Sequence, residues 1–134
     1  MYNGPMQAKK DVRIAKDLVA ASAIPLVLAI LDEGESYGYA ILKRIDELSG
    51  GELEWTDGML YPLLHRLERL GYVDARWDSP EGTRRRRYYR ITPAGQDALS
   101  EQRRQWEVVA SALQNAWHAF QLGVPAPLAR TAEV

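Results

Sequence analysis

A mainly α-helical fold that carries a small β-hairpin and closes on a long C-terminal helix is what the sequence predicts, from three observations. Apolar residues recur at helical spacing through much of the chain. Two short extended segments between residues 72 and 91 are separated by a linker holding Pro80 and Gly82. Near the C-terminal end, Leu99, Trp106, Leu113 and Phe120 stand seven apart. A chain of 134 residues has room for one domain with a modest core and not for two independent ones.

Residues 1–21 read as a partly helical N-terminal extension: residues 1–8 are a loose lead-in, and residues 9–21 alternate Lys, Arg and Asp with small apolar side chains. From Ile24 to Glu33 the chain is apolar nearly all round, which marks a buried helix. Ser22 is placed to cap it, Pro25 falls in its first turn where a missing N–H costs little, and Gly34 stops it. Ser36 caps a second helix in which Tyr37, Ile41, Ile45 and Leu48 face the core, and Gly50 and Gly51 end it. Thr56 caps a third helix that runs to about Leu70, with Gly71 at the C-terminal glycine position. Its buried stripe is Leu60, Leu63, Leu64, Leu67 and Leu70. Gly58, Pro62, His65 and Arg69 occupy the outward face, with Tyr61 and Arg66 at its edges.

Tyr72–Trp77 and Arg85–Ile91 are the strands, joined by residues 78–83. Thr92-Pro93 is an N-cap followed by proline at the first helical position, and it opens a helix over 93–122 that Gly123 and Pro125 end. Residues 123–134 lack periodicity and are expected to be a disordered tail. Three helices with the third presented outward, then a hairpin, make residues 22–92 a winged helix-turn-helix domain, followed by the long helix.

Composition narrows the function. The chain has no cysteine, and its two histidines, His65 and His118, stand far apart without ligand spacing, so neither a metal site nor a cofactor is expected. Carboxylate pairs such as Asp32-Glu33 and Asp46-Glu47 point about 100° apart on a helix and do not converge on a substrate. With no glycine-rich phosphate loop or nucleophile elbow, no catalytic residues are expected and the chain does not read as an enzyme. The apolar run from Leu18 to Leu31 is broken by Ser22 and Pro25 and falls short of a membrane span, and its flanks are wrong for a signal peptide. A soluble cytoplasmic protein is expected.

A net charge of −1 argues at first against a nucleic-acid partner. The distribution answers this: residues 1–70 hold 8 basic and 11 acidic groups, whereas residues 84–90 hold five arginines and no acid. Charges farther apart than about 8 Å are largely screened, so the local field decides. Strand alternation places Arg84, Arg86, Tyr88 and Arg90 on one side of the arm and Arg85, Arg87 and Tyr89 on the other. Arginines on both sides suit an arm that reaches into an anionic surface, and a narrow minor groove is a natural target.

On the third helix, Pro62 removes a backbone hydrogen bond and crowds the carbonyl of Gly58, where the missing side chain eases the geometry. The proline ring beside Tyr61 offers a flat apolar surface for thymine methyls or sugars in a major groove. His65 has two readings, a DNA contact or a cap on a neighbouring carbonyl. The candidate DNA contacts are therefore Thr56, Gly58, Tyr61, Pro62, His65, Arg66 and Arg69 on the helix, and Arg84, Arg85, Arg86, Arg87 and Tyr89 on the wing. A winged helix that binds protein instead of DNA is the alternative, and it would be expected to lack a basic wing.

Several motifs occur together and in order: Tyr37-Gly38-Tyr39, Leu60-Tyr61-Pro62 with Arg66-Leu67-Glu68 after it, and the run from Arg85 through Thr92-Pro93-Ala94-Gly95. Over roughly residues 18–100 the chain thereby resembles the PadR family of bacterial transcriptional regulators, in the short form with a single C-terminal helix. The resemblance implies a homodimeric cytoplasmic repressor that binds an inverted-repeat operator in double-stranded DNA and is released by a small molecule.

The sevenfold spacing gives the dimer its own argument. Leu99, Trp106, Leu113 and Phe120, with Gln102, Val109 and Ala116 between them, form a heptad seam, which favours a partner helix over packing back on the same domain. Leu99, Trp106, Val109, Leu113, Ala116 and Phe120 are the interface candidates, and Lys9–Ala21 is a second contributor. Trp106 reads first as interface core. The resemblance implies a second role, because multidrug-responsive relatives place a tryptophan at a similar distance past the Thr-Pro-x-Gly motif, in a cleft between subunits where planar aromatic effectors stack.

Overall fold

The computed structural model describes residues 14–122, with side chains as far as Ala119. The lead-in, residues 9–13 of the segment from Lys9, and the tail at 123–134 lie outside the described residues. The elements are α1 (Lys16–Asp32), β1 (Ser36–Tyr37), α2 (Gly38–Ser49), α3 (Asp57–Arg69), β2 (Val73–Asp78), β3 (Arg86–Ile91) and α4 (Pro93–Leu122), with a 3₁₀ turn at Pro80–Gly82 between the last two strands. Among the described residues no helix is long and apolar enough to cross a membrane.

Two compact units result, one through Leu99 and one from Ser100 onward. In the first, α1 contributes Val27, Leu28, Ile30 and Leu31 to a core that also takes Ile41 and Ile45 from α2 and Leu60, Leu64 and Leu67 from α3. Val73, Tyr89 and Leu99 close it. Each fully buried aliphatic side chain of this kind contributes roughly 1.5–3 kcal/mol. Leu48 and Leu70, expected inside, are exposed, because each sits at the end of its helix where the chain leaves the core.

The first two helices begin differently from what the sequence suggests. Ser22 does not cap a helix; α1 runs through it without interruption, and its hydroxyl donates back to the carbonyls of Leu18 at 2.7 Å and Val19 at 3.2 Å. Pro25 consequently lies inside α1, where burial of the following turns outweighs the lost backbone bond. Nor does Ser36 cap α2. It forms β1 with Tyr37, pairing antiparallel to β3 with Ser36 opposite Tyr89 and Tyr37 opposite Tyr88, so the hairpin becomes a three-stranded sheet in the order β1-β3-β2.

The α3 and α4 boundaries follow local chemistry. Gly71, at φ 80°, adopts the left-handed conformation that lets the Tyr72 N–H reach back to the Leu67 carbonyl at 2.9 Å and close α3. Thr92 is the cap the sequence indicates: its hydroxyl accepts the Gly95 N–H at 3.0 Å and donates to the Gly71 carbonyl at 2.6 Å, fixing the start of α4 to the end of α3.

Candidate nucleic-acid interface

With Leu60, Leu64 and Leu67 buried, α3 turns its other face to solvent. Gly58, Tyr61, Pro62, His65, Arg66 and Arg69 are on that side, as is Thr56 at the helix start. Thr56 stands in the N-cap position with extended backbone, and its carbonyl accepts the N–H groups of Met59 and Leu60, both at 3.0 Å. Its hydroxyl makes no capping bond and stays available. A side chain at Gly58 would meet only the Thr56 hydroxyl, at an ordinary 3.7 Å, so crowding by Pro62 does not require glycine there. Tyr61 has a tighter setting: a Cβ at Gly38, the first residue of α2, would collide with the Tyr61 hydroxyl and lie 2.6 Å from its Cζ.

The wing holds its arginines by three different means. Arg87 pairs in register with Trp77 and forms an ion pair with Glu68 of α3 at 2.8 Å, which ties the wing to that helix. Arg85 lies over the Trp77 ring at 4.8 Å, and Arg87 is 5.5 Å from the same ring centre. On the other side of the sheet Arg86 covers the Tyr37 ring at 4.3 Å, and Tyr37 meets Tyr88 edge-on at 5.4 Å. The expected alternation is therefore realised, and aromatic platforms occupy both sides. Hydrogen bonding to Tyr88, with Tyr37 and Tyr88 beside it, holds the Arg86 guanidinium above its ordinary pKa.

Tyr89 is not a contact residue. It is wholly buried in the core, where burial pushes its phenol above the ordinary value of 10.0 although the Arg87 guanidinium beside it pulls the other way. With none of its surface exposed it offers a partner no side-chain area of its own, and it only backs the groove lined by the wing and α3. Three positions that the sequence did not give a role on the wing join the site: Trp77 and Tyr37 as platforms and Glu68 as the tether.

Arg76 and Arg90 are occupied elsewhere. Arg76 makes a two-pronged contact with Glu35, both bonds at 2.8 Å, and a third to Asp78, while Arg90 pairs with Asp74 at 3.2 Å. Among the described residues Arg84, Arg85 and Arg86 have no carboxylate partner. Wing and helix together line an open groove of about 810 Å³: Tyr61 and His65 come from α3, Tyr37, Gly38 and Tyr39 from the junction of β1 and α2, and Trp77, Arg84–Arg87 and Tyr89 from the hairpin. Among the described residues no acidic side chain lines it. Its arginines and lack of lining acid suit an anionic partner better than a small neutral ligand.

Leu99 departs from the expected seam, because it is buried in the first unit's core and cannot serve a partner helix. From Ser100 onward, Val109, Leu113 and Ala116 are exposed, Trp106 is half-buried, and the side chain of Phe120 lies outside the described residues. Trp117, 58% exposed and eleven residues past Trp106, returns to the same side of α4, and a strict heptad count passes over it. Among the described residues no cluster of His, Asp or Glu could hold a metal ion.

A model of the transcriptional regulator PadR-like family matches residues 27–101. The transcriptional regulator Rv3488 of Mycobacterium tuberculosis is 47% identical over 64 residues, which are 48% of this chain and 59% of that protein. Among solved structures, a transcriptional regulator from Clostridium thermocellum superposes with a TM-score of 0.67 at 30% identity, covering 74% of this chain and 96% of that one. A PadR family transcriptional regulator from Eggerthella lenta does so with a TM-score of 0.64 at 32% identity, covering 75% and 86%.

Proposed function

The chain belongs to the PadR-like family of transcriptional regulators, and we propose that it acts as a homodimeric repressor on an inverted-repeat operator. Membership makes it a regulator of transcription and not an enzyme. Each subunit sets the outward face of α3 into a major groove and lays its wing along the flanking backbone. A repressor of this kind works in the cytoplasm, where its operator is.

One observation carries the DNA contact: Arg76, Arg87 and Arg90 each meet a carboxylate, whereas Arg84, Arg85 and Arg86 meet none among the described residues. Cations left unneutralised beside a groove that no acid lines among the described residues are suited to displacing the counterions of DNA phosphates. The test is a gel-shift titration against the DNA upstream of its own gene, with Arg84, Arg85 and Arg86 changed together to Ala. Affinity is expected to fall on every sequence, and the salt slope to drop by about one for each phosphate that the variant no longer neutralises. Unchanged affinity and slope would refute the wing's role. Arg87 is left out of the variant because its ion pair with Glu68 is part of the fold.

The dimer is assigned to α4, where the exposed apolar side chains of Val109 and Leu113 need a partner surface. Trp106 on the same side is the proposed stacking surface for a planar aromatic effector, held in the cleft between two such helices.

A further inference from the structure

We propose that Trp77 is a positioning residue of the wing, holding the Arg85 guanidinium ready for DNA and linking it, through Arg87 and Glu68, to the helix that reads the groove. This rests on the reading of the wing as a DNA contact. Trp77 is 52% exposed near the end of β2, a large apolar surface that the core does not use. What covers it is cationic, with Arg85 at 4.8 Å and Arg87 at 5.5 Å from the ring centre.

The two arginines differ in what their charge can do. Arg87 is pinned to Glu68 at 2.8 Å, so its charge is largely answered inside the molecule and it serves as an anchor. Arg85 precedes the first residue of β3 and pairs with no carboxylate among the described residues, so its charge is free for a phosphate or a narrow groove. A free arginine on a loop end carries many rotamers, and DNA binding must freeze them. A carboxylate could hold that side chain still, but it would cancel the charge DNA requires. An indole face attracts the guanidinium through its quadrupole and leaves the net charge in place. Trp77 therefore orders Arg85 without neutralising it. The register pair of Trp77 with Arg87, itself tethered to α3, sets the direction in which Arg85 is presented.

The experiment compares the full chain with W77A, W77F, R85A and W77A/R85A on a short mixed-sequence duplex, measuring affinity across a salt series. R85A is expected to weaken binding and lower the salt slope by about one. W77A is expected to weaken binding roughly three- to tenfold, the cost of ordering one long side chain at binding, while the slope stays that of the parent because the charge remains. W77F keeps an aromatic face and stays close to the parent. In the R85A background the Trp77→Ala change is expected to cost nothing further. If R85A weakens binding but W77A does not, or costs the same with and without Arg85, the positioning role is overturned and the wing reading stands. If R85A itself changes neither affinity nor slope, Arg85 makes no contact for Trp77 to prepare and the positioning role is overturned, while the triple variant decides the wing reading. Should W77A melt earlier than the parent, the W77F result decides: a loss there equal to that of W77A overturns the proposal.

Discussion

Gly38 has no side chain where the Tyr61 hydroxyl arrives, and this pair of residues joins the start of α2 to the exposed face of α3. From sequence, Tyr61 reads as a base contact. Its position makes it also a spacer that holds α3 against the chain entering α2, and at 37% exposure it retains surface for DNA. Gly38→Ala is expected to force the Tyr61 ring aside and to destabilise the fold by about 1–3 kcal/mol, the usual cost of overpacking. Much of that loss should return in Gly38→Ala/Tyr61→Ala, where the obstacle is gone. Chemical denaturation of the two variants and of Tyr61→Ala completes the cycle. Additive losses would show that the two residues do not compete for the same space. Gly58 behaves differently, since among the described residues the fold leaves room for a Cβ there.

At the scale of elements, what is legible in the sequence is whatever is written in a repeating pattern or a local cap. The α3 stripe of Leu60, Leu64 and Leu67, Gly71 after it, the two long strands and the Thr92 cap of α4 all fall into that class. β1 does not, because two residues cannot display a period and Ser36–Tyr37 is a strand only by virtue of β3 beside it. Ser22 misleads for a related reason: a serine before an apolar run looks like a cap, and only the preceding turn of α1 shows that its hydroxyl points backward. The side of β3 that each residue occupies is legible, but which side meets the core is not, which is why Tyr89 reads as a DNA contact until the packing is seen. The aromatic platforms Tyr37 and Trp77 depend on pairing across strands: Tyr37 stands out in the sequence only as part of a motif, and nothing in either residue's neighbours along the chain marks it as a seat for arginine. Within α4, Glu101 accepts from Arg104 at 2.8 Å and from Gln105 at 2.7 Å, and these bonds hold its carboxyl down to about 2, against an ordinary value of 4.5. Because the folded value lies below the unfolded one, the contribution is complete above about 4.5 and is lost as pH falls toward 2. It is small, since both side chains are exposed to solvent. Carboxyl NMR titration of Arg104→Ala should show the Glu101 midpoint moving up toward 4.5, with Gln105 retaining part of the shift. A midpoint unmoved in that variant would remove Arg104 as the main cause.

For the whole molecule, a net charge of −1 coexists with a basic wing because acids sit where arginines must be silent: Glu33 with Arg44, Glu35 and Asp78 with Arg76, and Asp74 with Arg90. The cations that remain on the wing are useful in proportion to how many wings reach one DNA molecule, and this connects charge to assembly. A single subunit offers one α3 and one wing, so an inverted-repeat operator is engaged fully only by two. Leu113 is the residue with which to separate assembly from fold. It is 45% exposed in the single chain and lies beyond the unit that contains the core, so Leu113→Glu should leave the winged domain's melting transition intact. In a helix pair the same glutamate would be buried without a partner, at a cost of about 3–5 kcal/mol, enough to dissociate a dimer at micromolar concentration. Sedimentation velocity is expected to show a dimeric parent and a monomeric variant, and the variant's affinity for the full operator should fall toward its affinity for a half-site. A parent that sediments as a monomer would remove the dimer and the effector cleft at Trp106 with it. A dimeric Leu113→Glu variant would move the interface to another side of α4 and leave the exposed Val109 and Trp117 without a role.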